Sequence, residues 1–245
     1  MKNYRITVSY DGTRYKGWQV QKSTDDTIQG KLQKVIESIC NHPVEVIGSG
    51  RTDAGVHAKG QIANFHMEGS FDEGELLTMI NRYLPGDIAV TSLSLVDDRF
   101  HSRYNAKSKT YVYRINTSQM SNVFEHRFVY EYGQALDEDR MREAAGLLLG
   151  THDFKSFCGN KKMKKSTVRT IYAIDIERIG DEIKISYTGD GFLQNMIRIL
   201  TGTLIEVGRG DKRPEDVTEI LKAKDREVAG YTAPPQGLIL EEVQY

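Results

Sequence analysis

The stretch VEVIGSGRTDAGVHAKGQIANFHM, residues 44–67, places a glycine-rich loop between two apolar segments. Residues 44–47 and 61–67 are rich in β-branched and alternating apolar side chains, which predicts a strand on each side of the loop. The loop holds four glycines, with Arg51 and Asp53 at its centre. Because loops on rigid scaffolds often carry function, this one is a candidate site.

The residues around this hairpin predict an α/β unit. Residues 4–10 alternate like a strand, and residues 28–39 and 76–84 carry apolar stripes with the period of a helix. Residues 88–96 predict a further strand. The order β-α-β-β-α-β is the split pattern of ferredoxin-like units.

The second half of the chain resembles this order. It predicts strands at 109–116, 128–132, 168–178, 182–188 and 238–243, and helices at 136–149, 192–207 and after Pro214. The lysine-rich run 160–165 predicts a surface loop. We therefore expect an α/β (α+β) protein with an N-terminal half at 1–104 and a C-terminal half at 105–245. The default ligand site is a cleft between such halves.

The composition excludes several classes of protein. The chain has 245 residues, 39% of them hydrophobic, and a formal net charge of -1, so any nucleic-acid-binding surface must be a segregated basic face. Cys40 and Cys158 are far apart and predict two free thiols rather than a disulfide framework. The first residues read as a strand, and no apolar run reaches membrane-spanning length. We expect a soluble cytoplasmic protein.

Three interpretations compete for the loop. A phosphate cradle is disfavoured, because no Gly-Lys-Ser/Thr is present and position 53 is Asp where a dinucleotide fingerprint needs Gly. An exposed ion pair between Arg51 and Asp53 would be worth little. A catalytic carboxylate is the third, since a nearby guanidinium favours its charged form and glycines let a substrate approach. The residues alone leave the last two interpretations open.

Six ordered blocks resemble the tRNA pseudouridine synthase A family. They are YDGTRYKGWQVQ (10–21), GRTDAGVHA (50–58), FHSRYNAKSKTYVYRI (100–115), THDFKSF (151–157), GFLQNMIRILTGTLIEVGRG (191–210) and APPQGLIL (233–240). The resemblance implies the pseudouridine synthase fold, with two ferredoxin- or RRM-like halves and mixed, largely antiparallel sheets flanking a central active-site cleft. It also implies a homodimer that needs no metal or organic cofactor. Its implied reaction turns uridine into pseudouridine in the anticodon stem-loop of tRNA, at positions 38, 39 and 40.

The resemblance also implies roles for particular residues. Asp53 would be the catalytic carboxylate, attacking C6 or C1′ or abstracting a ribose proton, and Arg198 would be its buried counter-ion. Tyr111 would stack on the extruded uracil, and Leu238 would form an apolar wall of the pocket. Arg51 would contact substrate phosphate or help displace the target base.

Binding of substrate RNA would require a basic surface on the protein. The candidate basic residues are Arg14, Lys16, Lys22, Lys59, Lys107, Lys109, Lys161, Lys162, Lys164, Lys165, Arg169 and Arg209. A metal site at His57 and His66 is disfavoured by ligand spacing. The rival functions are a non-catalytic RNA-binding protein or tRNA chaperone with RRM-like halves, and a nucleotide-dependent enzyme.

Overall fold

The computed structural model of the chain describes residues 1–69 and 71–245. Two compact units are formed, one by Met1–Lys107 with Leu240–Tyr245 and the other by Ser108–Ile239. The predicted domains, 1–104 and 105–245, stay a prediction. Within the described residues, no helix combines the length and the apolar character needed to cross a bilayer.

The first unit has the predicted order of elements. They are β1 (Lys2–Tyr10), α1 (Ile28–Cys40), β2 (Ile47–Gly48), β3 (His57–Met67), α2 (Glu73–Tyr83) and β4 (Ile88–Val96). The sheet runs β4-β1-β3, with β2 also on β3, and all these pairings are antiparallel. This is the strand order of a split βαβ unit, as the sequence predicts.

The core of the first unit is formed by the side chains that alternate along its strands and by those that form the apolar stripes of its helices. Tyr4, Ile6 and Val8 alternate along β1 and are fully or almost fully buried. Ile28 and Leu32 bury the matching stripe of α1. Helix α1 begins where the Thr27 side chain accepts a hydrogen bond from the Gly30 amide, as an N-cap does. The sheet and the helix therefore bury their apolar faces in one core.

Strand β2 is shorter than predicted, and the cause lies in α1. Backbone groups of residues 44–46 bond to helix side chains instead of to a neighbouring strand. Gln29 Nε2 donates to the Val46 carbonyl at 2.9 Å, and the Val44 amide donates to Glu37 Oε1 at 3.1 Å. Val44 and Val46 are still buried. Their apolar pattern thus reports burial correctly, although the regular ladder begins only at Ile47.

The second unit holds the remaining elements. They are β5 (Ser108–Asn116), β6 (Tyr130–Glu131), α3 (Glu138–Gly146), β7 (Gly150–Asp153), β8 (Val168–Ile179), β9 (Glu182–Gly189), α4 (Met196–Arg209), α5 (Asp216–Ala223) and the first two residues of β10 (Leu238–Gln244). The strand order β5-β9-β8-β7 is antiparallel, and β6 runs parallel to β5. The fold is thus mixed and largely antiparallel, as expected.

Several elements of the second unit differ from the sequence prediction: β6 and α3 are shorter than the predicted 128–132 and 136–149, and α4 and β7 differ further. Helix α4 begins at Met196 instead of 192, because Asn195 adopts a left-handed conformation (φ 58°) that interrupts the chain before the helix. Strand β7 was not predicted. It pairs with β8 through residues 150–153, whose side chains are exposed or only half-buried, and so it lacks an apolar pattern.

The Arg114–Glu182 pair supplies a test of stability against pH. Arg114 Nε and Nη2 donate to the two carboxylate oxygens of Glu182 at 2.7 and 2.8 Å, and Nη1 reaches Glu125 at 2.8 Å. Burial alone would raise the pKa of Glu182, but the hydrogen bonds and charge of Arg114 lower it below its usual value. A lowered folded pKa stabilises the protein above the unfolded pKa, about 4.3, and this contribution disappears as the pH falls through the folded value.

We therefore expect Glu182→Gln to lower the free energy of unfolding by about 1–2 kcal/mol at pH 7. The gap between wild type and variant should close as the pH falls below the unfolded pKa and through the lowered folded pKa of Glu182. Urea unfolding followed by circular dichroism at several pH values measures it. A gap that stays constant across this range would show that the charge of Glu182 contributes nothing.

Candidate active site

Asp53 lies in the turn between β2 and β3. Its carbonyl accepts a hydrogen bond from the Val56 amide at 3.2 Å, and Gly55 has a positive φ of 78°, which closes the turn. The Asp53 residue is half-buried, while its neighbour Thr52 is buried and Arg51 is exposed. The loop thus fixes its backbone around Asp53 and leaves the Arg51 side chain in solvent.

Residues 12–18 pack behind this turn. The Trp18 amide donates to the Thr52 carbonyl at 3.1 Å, and the Gly55 amide donates to the Tyr15 carbonyl at 3.3 Å. Gly17 has a φ of 94°, and a Cβ at this position would lie 2.7 Å from the Thr52 carbonyl oxygen. Only glycine allows the two segments to approach so closely. The YDGTRYKGW block therefore forms a support for the loop that carries Asp53.

Tyr111 occupies the second unit, on the buried face of β5. Tyr111 and Tyr113 lie on one face of the strand, as their spacing predicts, and Tyr111 is 8% exposed. Tyr187 on β9 lies directly opposite Tyr111 in the strand register. The Phe192 ring meets the Tyr111 ring edge-on, with 5.5 Å between centroids. Neighbouring rings therefore restrict the orientation of the Tyr111 ring.

Arg198 is half-buried on α4 and is fixed to the segment that follows α5. Its Nε donates to the Ala233 carbonyl at 2.7 Å, and the Ala233 amide donates to the Arg198 carbonyl at 3.0 Å. The guanidinium plane is therefore oriented by a backbone group. This geometry differs from that of a flexible arginine at a helix edge, whose head group moves freely in water.

Leu238 follows the same segment and is 5% exposed. The Tyr113 hydroxyl donates to the Pro234 carbonyl at 2.7 Å, and a Cβ on Gly237 would lie 2.7 Å from the Tyr113 ring. Burial raises the pKa of Tyr113 well above its usual value, so the phenol keeps its proton for this bond. Tyr113 thus holds residues 234–237 in place between Arg198 and Leu238, a contribution that the sequence prediction missed.

The predicted site residues divide between the units. Arg51 and Asp53 belong to the first, and Tyr111, Arg198 and Leu238 belong to the second. The contacts described for Asp53, Tyr111 and Arg198 lie within their own units. The pairing of Asp53 with Arg198 and the cleft between the halves stay predictions.

Some of the candidate RNA-binding cations already have anionic neighbours. Arg14 pairs with Asp87 and Lys59 with Glu241, while Lys161 pairs with Glu227 and Arg209 with Asp211. His57 is buried and accepts a hydrogen bond from the Gly12 amide through Nδ1 at 3.0 Å. Across residues 1–69 and 71–245, no three His, Cys, Asp or Glu side chains form a group suited to a metal ion.

Comparisons with known proteins identify the family of the chain. The family described as tRNA pseudouridine synthase matches residues 6–105 and 144–245. The tRNA pseudouridine synthase A of Bacillus sp. (strain KSM-64) is 47% identical over 245 residues, covering 100% of both chains. The tRNA pseudouridine synthase A 1 of Clostridium tetani (strain Massachusetts / E88) is 44% identical over the same length and coverage. The chain therefore belongs to the tRNA pseudouridine synthase family.

Proposed function

We propose that this protein is an isomerase that converts uridine to pseudouridine in the anticodon stem-loop of tRNA. Full-length likeness to tRNA pseudouridine synthase A supports the activity. The observation that carries the assignment is the GRTDAG loop, in which Asp53 is half-buried on a turn whose backbone is hydrogen-bonded on both sides. A carboxylate on such a loop is held ready to react with a bound nucleoside.

The chemistry needs a charged oxygen close to the nucleoside. The C1′–N1 bond breaks, the uracil turns, and a C1′–C5 bond forms. The base loses its C5 hydrogen and N1 takes up a proton, so the product is an isomer and no electrons are exchanged. Asp53 attacks C6 or C1′, or abstracts a ribose proton, and each of these routes requires its ionised form.

The other predicted residues bind and orient the nucleoside. The ring of Tyr111 stacks on the flipped uracil, which offsets part of the few kcal/mol lost on unstacking, since a stacked base contributes about 1–3 kcal/mol. Leu238 forms an apolar wall of the pocket. The guanidinium of Arg198 pairs with Asp53, and the exposed Arg51 contacts a substrate phosphate or displaces the target base.

Loss of the C5 hydrogen gives a direct assay. The wild-type protein is mixed with tRNA that carries tritium at C5 of uridine, and release of tritium into water is followed. We expect release that approaches the number of target uridines in the 3′ side of the anticodon arm. Binding of tRNA without release would contradict the proposal and support the non-catalytic RNA-binding function instead.

Two further parts of the proposal concern the oligomeric state of the enzyme and the location of its substrate. We expect it to act as a homodimer on cytoplasmic tRNA. Analytical ultracentrifugation of the purified protein measures the first, with a single species of twice the 27.8 kDa chain mass as the expected result. Mapping pseudouridine in total tRNA from cells with and without the enzyme identifies which uridines it modifies.

A further inference from the structure

We propose that Tyr10 is a positioning residue, which holds Asp53 in its reactive place by a hydrogen bond to Thr52. The proposal deepens the assigned function and rests on it, because it takes Asp53 as the catalytic carboxylate. Tyr10 itself touches neither the carboxylate nor the substrate in this role. It acts through the residue that immediately precedes Asp53 in the chain.

The bond between the two side chains is short and buried. The Tyr10 hydroxyl lies 2.8 Å from Thr52 Oγ1, and the two residues are 4% and 7% exposed. Burial raises the pKa of the Tyr10 phenol, although the bond to Thr52 opposes this, so the hydroxyl is neutral at physiological pH. A buried hydrogen bond between neutral hydroxyls costs free energy to break when no water replaces the lost partner.

Thr52 is fixed at its backbone as well as at its side chain. Its carbonyl accepts the hydrogen bond from the Trp18 amide, so Tyr10 and Trp18 hold the same residue through different atoms. Gln61 holds the start of the loop, donating to the Gly50 carbonyl at 3.0 Å. Since Thr52 and Asp53 share a peptide bond, a movement of Thr52 displaces the Asp53 Cα. A displacement of about 1 Å can cost about 100-fold in rate.

The matched control lies on the same strand. Tyr4 shares the buried face of β1 with Tyr10 and is 1% exposed, and within the described residues its hydroxyl has no hydrogen-bond partner. Tyr4→Phe and Tyr10→Phe therefore remove the same atom from similar surroundings, but only the second removes a bond to the Asp53 loop. A general effect of losing a buried hydroxyl would appear in both variants.

We expect Tyr10→Phe to slow the single-turnover release of C5 tritium by about 10- to 100-fold while the Kd for tRNA changes less than about twofold. Tyr4→Phe should keep wild-type values of both. Equal rates in the two phenylalanine variants would overturn the proposal. A Tyr10→Phe effect confined to Kd would also overturn it, because the residue would then act in binding.

Thr52 provides an independent route to the same bond. Thr52→Val removes the hydroxyl and should slow release as Tyr10→Phe does, whereas Thr52→Ser keeps a hydroxyl and should restore most of the rate. Because the Tyr10–Thr52 bond is lost in every case and Tyr10→Phe also loses a side-chain hydrogen bond to Gln61, the double variant Tyr10→Phe/Thr52→Val should be about as slow as Tyr10→Phe alone. Multiplying losses in the double variant would mean that the two residues act separately, against the proposal.

Trp18 supplies a readout that does not depend on activity. It is the protein's one tryptophan, is 1% exposed, and has its ring centroid 6.1 Å from that of Tyr10. We expect its emission to shift in Tyr10→Phe and Thr52→Val and to stay unchanged in Tyr4→Phe. If Asp53→Asn kept full activity, the assigned function of Asp53 would fail. A normal rate and normal emission in Tyr10→Phe, with Asp53→Asn inactive, would defeat only the positioning role.

Discussion

Asp53→Asn should leave a folded protein that binds tRNA and releases no measurable tritium from C5. The amide has the shape of the carboxylate, so the turn closed by the Val56 amide should persist, since that bond uses the backbone of residue 53. A neutral amide is neither a nucleophile nor a base at physiological pH, so all three routes stop. We expect a fall in single-turnover rate of at least about 1,000-fold.

The control for this experiment is a carboxylate that has no proposed part in catalysis. Asp97 belongs to the same unit, is exposed, and accepts a local hydrogen bond from the Arg99 amide at 2.8 Å. Asp97→Asn should retain the wild-type rate. Circular dichroism and a gel-shift assay with tRNA check folding and binding of both variants. Substantial tritium release by a folded Asp53→Asn protein would refute the assignment of Asp53.

The sequence predicts the chain order of the elements in the first unit, because apolar side chains repeat along each element with the period of a strand or a helix. The alternation in β1 and the stripe of α1 both appear as buried side chains. Prediction fails where backbone groups find partners that a local pattern does not encode. The Gln29 side chain bonds to the Val46 carbonyl, which therefore does not join a strand ladder. The left-handed conformation of Asn195 makes α4 begin later in the chain than predicted. Such contacts depend on tertiary packing and leave no periodic trace in the sequence.

In the candidate site, too, the sequence predicts some features and misses those that depend on tertiary contacts. Asp53 can be singled out from the sequence, because the ordered family-like blocks decide between the two interpretations that the glycine loop leaves open. The bond between Tyr10 and Thr52 joins residues 42 positions apart, and an alternating strand predicts only that Tyr10 is buried. The hydroxyl of Tyr113 likewise reaches Pro234 across 121 positions. A candidate catalytic residue can therefore be predicted from the sequence, whereas the residues that hold its loop in place cannot.

Arg198→Lys should reduce turnover strongly and tRNA binding only modestly. The guanidinium of Arg198 donates to the Ala233 carbonyl through Nε, which leaves its other nitrogens directed by that bond. A lysine has one nitrogen, so it cannot bond to Ala233 and present a planar pair of donors to a carboxylate at the same time. If Arg198 is the counter-ion of Asp53, we expect kcat to fall by at least about 100-fold and Kd for tRNA to change by less than about fivefold.

A second arginine of the same unit provides the control for Arg198→Lys. Arg226 is also half-buried and also bonds to this part of the chain, donating to the Ala229 carbonyl at 3.4 Å and to Thr232 Oγ1 at 3.0 Å. Arg226→Lys should therefore perturb residues 229–232 while Arg198 keeps its guanidinium, and its kcat should stay within about threefold of wild type. Equal losses in the two lysine variants would point to disturbed packing of this segment. Wild-type kcat in Arg198→Lys would show that Asp53 has a different partner. A lysine cannot bond to the Ala233 carbonyl and also present a planar pair of donors to the carboxylate.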